Sequence, residues 1–165
     1  MEILNKIDAS GIQTLDLRSY KPNENDFTLF DIVPFLIEDF LLQEKKFRLE
    51  MANIEWSQFK GKEVVITCSN DAIVPLWAYV LIASLLTPYA AIVVYSTTGN
   101  YSSLLWMERI RKIEFTAFTH QKVVLKASSS LPEEILVLAT SQLIKYVQTL
   151  MWGEAGSPLM IYKRK

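Results

Sequence analysis

Two short runs of aliphatic residues, Val64-Val65-Ile66 and Val123-Val124-Leu125, are the most regular hydrophobic features of the chain. Neither alternates with polar residues, so each predicts a strand buried on both faces, as in a parallel sheet. The pattern around them repeats. Phe59, Val64, Val65 and Ile66 are echoed by Phe118, Val123, Val124 and Leu125; after a two-residue shortening, Pro75, Tyr89 and Val94-Tyr95 are echoed by Pro132, Tyr146 and Met151-Trp152. The echo predicts one βαβ unit written twice, and its copies differ mainly in one loop, 69–74 against 128–131. That loop follows a strand, where open α/β sheets bind ligands.

The rest of the pattern completes an α/β chain. A helix is expected over Glu2 to Ala9, stopped by Gly11, with strands over Ile12 to Leu17 and Phe27 to Ile32 separated by Pro22-Asn23-Glu24-Asn25-Asp26. Pro34 to Asn53 is expected to be mostly helical, with Glu44, Lys45, Lys46, Arg48 and Glu50 on an exposed side. Strands follow at 63–68, 91–96, 122–127 and 149–152, and helices at 75–87, 102–114 and 132–147. Ser130-Leu131-Pro132-Glu133 has the spacing of a capping box for the last helix. Residues 158–163 are expected to add an edge strand. Strands joined by helices should run parallel, giving one layered α/β sandwich with a largely parallel sheet, in which residues 1–58 form an N-terminal extension and 59–165 the repeated units.

Composition narrows the classes of function. The 17 basic and 18 acidic side chains nearly cancel, and the longest basic block is Lys163-Arg164-Lys165, so no nucleic-acid footprint is present. One cysteine permits neither an internal disulfide nor a multi-thiolate metal site within a chain, and a reducing cytoplasm is the simplest compartment. The first six residues lack the pattern of a signal peptide. From Ala72 to Met107 no residue is charged. A membrane span is still not expected there, because Pro75 and Pro88 bracket a helix too short for the roughly 30 Å hydrocarbon core.

Several segments are similar to a known family. Cys68 to Tyr79, Phe30-Asp31-Ile32, Glu44 to Arg48, Trp56 to Phe59 and Tyr162 to Lys165 resemble an uncharacterised bacterial family, domain of unknown function 2480, found mainly in Bacteroidetes. The resemblance spans nearly the whole chain and is most specific around Cys68. It implies no established activity, cofactor or catalytic residue, and only a loose association with iron-sulfur cluster assembly. Where family members often carry a second cysteine in the terminal turn, this chain has Gly153-Glu154-Ala155-Gly156-Ser157, so no two-thiol site is implied.

The strand ends supply the candidate chemistry. Cys68, Ser69, Asn70, Asp71, Ser96 and Glu154 all follow predicted parallel strands and would line one rim if those strands are neighbours. The same residue types also serve as helix caps. Cys68 is the obvious nucleophile, yet His120 precedes a strand that Cys68's counterpart would end, so no Cys-His dyad is expected. Asp71 and Glu154 would make an acid-base pair or a hard-cation site only if they converge. No catalytic set and no metal site is assigned. Two roles follow from these features: a binding or assembly accessory protein, connected through the resemblance with iron-sulfur metabolism, or a small hydrolase or transferase using the rim. The apolar helix 75–87 needs cover on its outer face, which predicts a homodimer with Trp77, Leu81 or Leu85 near the interface.

Overall fold

The structure is a computed structural model, and it describes residues 11–165. The helix expected over Glu2 to Ala9 lies outside the described residues. The fold is α/β. Among the described residues seven strands divide between two sheets, and these residues divide into two compact units, residues 22–103 and residues 11–21 with 104–165.

The unit of residues 22–103 is built on a three-stranded parallel sheet of β2 (Thr28–Asp31), β3 (Glu63–Thr67) and β4 (Ile92–Tyr95), with β3 in the middle. Central position explains the unbroken Val64-Val65-Ile66 run, all three buried. On one face of the sheet, Phe30, Val64 and Ile66 meet Phe47 and Met51 of α1 (Glu44–Asn53) and Ala78, Ile82 and Leu86 of α2 (Leu76–Leu86). The i, i+4, i+8 spacing of those α2 residues puts them on one stripe. Pro75, already extended at φ −59° and ψ 138°, starts α2. The Trp56 indole, in the 3-10 turn before β3, donates to the Met51 carbonyl at 2.9 Å and joins the turn to α1.

Residues 34–53 are not mostly helical. Only α1 forms; upstream, Val33–Phe35 is a 3-10 turn and Ile37 bridges to Leu41. Glu38 and Asp39 have φ of 50° and 63° there, and two successive left-handed residues cannot belong to a right-handed helix.

The other unit holds a four-stranded sheet in the order β1 (Ile12–Leu15), β5 (Lys122–Lys126), β6 (Thr149–Gly153) and β7 (Leu159–Lys163). The first three strands are parallel, and β7 is the expected edge strand, antiparallel to β6. α4 (Glu133–Leu143) buries Ile135, Ala139 and Leu143 against Val123, Leu125 and Leu150. α3 (Thr98–Arg111) begins in the unit of residues 22–103 and ends in this one, where Trp106 and Ile110 are buried and the Trp106 indole donates to the Leu17 carbonyl at 3.0 Å. The capping box does not form: Pro132 takes the cap position of α4 without a side-chain bond, while the Ser130 and Ser128 hydroxyls pair at 2.9 Å.

The turns into β3 and β5 share their chemistry. Gly61, at φ 71°, donates its amide to the Tyr89 carbonyl at 2.9 Å; His120, at φ 60°, donates to the Tyr146 carbonyl at 3.0 Å. The acceptors Tyr89 and Tyr146 lie shortly before the next parallel strands, β4 and β6 respectively.

Candidate functional site

The C-terminal edge of the three-stranded sheet gathers five of the six residues singled out from the sequence. Cys68, Ser69, Asn70 and Asp71 follow β3, and Ser96 follows β4, its amide bonded to the Ile66 carbonyl at 3.2 Å. The organiser of this edge is Asp31, the last residue of β2. Its Oδ1 accepts the amides of Val33 (3.2 Å) and Ser69 (3.1 Å), and its Oδ2 accepts the Ser69 hydroxyl at 2.5 Å. One carboxylate thus ties the ends of two strands and the start of the loop between β3 and α2.

Asn70 performs the second fastening. Its Oδ1 accepts the Ala72 amide at 2.9 Å and the half-buried Cys68 thiol at 3.3 Å, while its Nδ2 donates to the Asp39 carbonyl at 2.5 Å. The left-handed turn at Glu38 and Asp39 is what presents that carbonyl. Cys68 is therefore a hydrogen-bond donor inside a loop scaffold. Asp71 stands exposed beside it.

The loop held in this way borders an apolar hollow of about 530 Å³ lined by Ala72, Ile73, Val74, Leu76, Tyr79 and Tyr95. Tyr79 and Tyr95 meet edge to face, with centroids 5.2 Å apart. Burial pushes the Tyr79 hydroxyl above its ordinary value of 10.0, and the neighbouring Tyr95 and Cys68 add to the shift. Around the hollow, apolar side chains face outwards: Ile73 is 91% exposed, Leu76 82%, Val80 69% and Tyr95 62%. Ile73, Leu76 and Tyr95 border the one hollow, and exposed apolar side chains gathered in this way are of the kind that marks interaction sites. A hollow of about 940 Å³ lies at the opposite ends of the same strands, bordered by residues 24–29, Gly61, Lys62, Glu63, Ala91, Ile92 and Thr98. Size alone does not favour it, because its Glu63 carboxylate already takes the Tyr101 hydroxyl and parallel sheets bind ligands at the other end.

Glu154 stands on the other sheet, after β6, in a different company. Arg18 grips Asp16 through Nε at 2.9 Å and an Nη at 2.5 Å, Lys126 lies 3.9 Å from the same carboxylate, and Glu154 adds to the field that holds Arg18 protonated. The hydrogen bond from Arg18 holds the Asp16 carboxyl at about 2 against its usual 3.8. Asp71 and Glu154 thus belong to the edges of two different sheets. His120 serves the turn before β5. Among the described residues, no three His, Cys, Asp or Glu side chains gather so as to hold a metal ion.

The α2 residues expected near an interface, Trp77, Leu81 and Leu85, all lie on the side that the unit itself covers. Trp77 is half-buried, met edge-on by Phe47 at 5.9 Å and covered by the Arg48 guanidinium at 4.9 Å, and Leu81 and Leu85 pack on the same core. α1 and its neighbours cover that side, and the open side carries Leu76 and Val80. Sequence reasoning missed Asp31, Tyr79, Tyr95, Ile73 and Leu76. The available signals were a lone carboxylate closing an apolar strand, and two large aliphatic residues in a loop otherwise made of turn formers.

No helix among the described residues is long and apolar enough to cross a membrane. The sequence matches, over residues 1–164, the family described as protein of unknown function (DUF2480). No curated protein and no solved structure matches the chain.

Proposed function

The chain belongs to the DUF2480 family of proteins of unknown function, and from that premise we propose that it is a non-catalytic binding or assembly protein. Its working surface is the edge of the three-stranded sheet formed by Ile73, Leu76, Val80, Tyr79 and Tyr95. The observation that carries this reading is the fastening of an exposed apolar loop. Asp31 and Asn70 together hold residues 68–72 with side-chain bonds, and the exposed residues that follow at once, Ile73 and Leu76, are aliphatic. Preorganising such a loop lowers the ordering cost of docking an apolar group.

The same edge offers little to a hydrolase or transferase, because Cys68 spends its proton on Asn70 and Asp71 stands exposed beside it. A connection with iron-sulfur metabolism would then run through the docked partner. The single cysteine supports a reducing, cytoplasmic setting. The matched turns at Gly61 and His120 support reading residues 59–95 and 118–152 as two copies of one unit.

Photo-crosslinking tests the surface. With p-benzoyl-phenylalanine at position 76, irradiation in the native cells is expected to give a discrete adduct that peptide masses identify and that Ile73→Glu abolishes. The same probe at the exposed Val137 of α4 is the control. Equal labelling at both positions, or none at position 76, would refute the reading.

A further inference from the structure

We propose that the occupant of this surface is a second copy of the chain, with β4 pairing antiparallel to its own copy about a two-fold axis; the inference rests on the docking reading above and names the partner. Among the described residues β4 is an edge strand, bonded only to β3. Natural edges are blunted by charge, proline, a bulge or brevity, and of these β4 has only its four-residue length. At the opposite edge, β2 carries Asp31 with its carboxylate engaged.

Charge points to the same partner. No residue from Ala72 to Met107 is charged, so the surface offers a charged partner nothing to pair with, and it meets its own copy without like-charge repulsion. Area agrees. At their observed exposures, Ile73, Leu76, Val80 and Tyr95 present on the order of 600 Å² to solvent, the top of the range for a patch on a monomer. Covered in full on both copies they would amount to at most about 1,200 Å², the lower bound of a specific interface, to which the paired strand backbones would add.

Symmetry then places the helix. Tyr79 of α2 touches Tyr95 of β4, so α2 lies over the edge strand. An axis perpendicular to the sheet at that edge sets the two α2 helices side by side on one face, antiparallel, so that the Leu76 end of each lies beside the Leu86 end of the other. The contact is isologous, so it closes at two copies and leaves no open end for a fibre.

Sedimentation equilibrium of the full chain tests this, with a monomer mass of 18.9 kDa. The expected result is a dimer at micromolar concentration. Leu76→Glu with Val80→Glu should weaken it by at least about 100-fold, because four carboxylates would be buried without partners. Ile73→Lys, on the loop and outside the core, serves where the double variant folds poorly, and Val137→Glu should leave the dimer intact. A wild-type monomer at several hundred micromolar overturns the proposal, as does a dimer indifferent to Leu76→Glu. The crosslinked adduct at position 76 separates the two claims: twice the chain mass supports both, another mass keeps the docking surface but overturns self-pairing, and no adduct overturns both.

Discussion

Removing the Asp31 carboxylate should loosen the edge of the three-stranded sheet by an amount that its bonds define. Asp31→Ala deletes three hydrogen bonds, from the Val33 amide, the Ser69 amide and the Ser69 hydroxyl. A hydrogen bond contributes about 0.5–1.5 kcal/mol net, and about 1.5–3 kcal/mol where one partner is charged. Asp31 is half-buried and water can reach the freed amides, so the three bonds are discounted to the neutral range and the loss should come to about 1.5–4.5 kcal/mol. Asp31→Asn keeps one acceptor oxygen and should lose roughly half as much. The assay is native-state hydrogen exchange at the Ser69 and Val33 amides, with urea unfolding followed by the Trp56 and Trp77 fluorescence of the same unit. A double-mutant cycle with Ser69→Ala should return a coupling of about 1 kcal/mol, since the two side chains share a bond. If Asp31→Ala falls within about 0.5 kcal/mol of wild type, and exchange at Ser69 is unchanged, the carboxylate does not hold the loop.

Two further outcomes test the local chemistry. The Asp16 carboxyl is held at about 2, below its usual 3.8, by its bond to Arg18, so its stabilisation is complete above 3.8 and is lost as the pH falls through about 2. Solvent screening limits the effect to below about 1 kcal/mol; a side-chain carboxyl titration by NMR should show Arg18→Ala returning Asp16 towards 3.8, and an unmoved midpoint would contradict the assignment. His120→Gly relieves a left-handed backbone that costs an L-residue roughly 1–2 kcal/mol, less the 0.5–1 kcal/mol entropic penalty of glycine, so the free energy of unfolding should rise by up to about 1.5 kcal/mol. A clear loss of stability in that variant would mean that the imidazole makes a contact of its own.

The strands were legible because burial on both faces leaves a plain mark: the Val64 and Val123 runs became β3 and β5 within a residue of their expected ends. Which strands are neighbours was not. Alternation and hydrophobicity fix which face a residue occupies, but they are silent on whether β1 pairs with β5 or with β3, so one rim became two. While the second half of the helix expected over 34–53 formed as α1, its first half failed for a similar reason. Its apolar residues, Phe35, Leu36, Ile37 and Phe40, satisfy a helical spacing, but backbone conformation at Glu38 and Asp39 decided the path. Of the candidate site, the loop after β3 was found from its position alone. Asp31 was not, because its partners lie on a loop that is distant in sequence and becomes near only when β2 pairs with β3.

The placement of residues 22–103 between two parts of the other unit has a consequence for the order of assembly. Ile12 of β1 pairs with Lys122 of β5, so on the ribosome the first strand emerges long before its neighbour exists. The intervening unit has all of its own strands in hand once Tyr95 has been made, and it can fold while β1 waits. Its folding shortens the effective loop that β1 and β5 must close, and so reduces the entropy lost in joining them. The four-stranded sheet, with the high contact order, is thereby the late and slow event of synthesis.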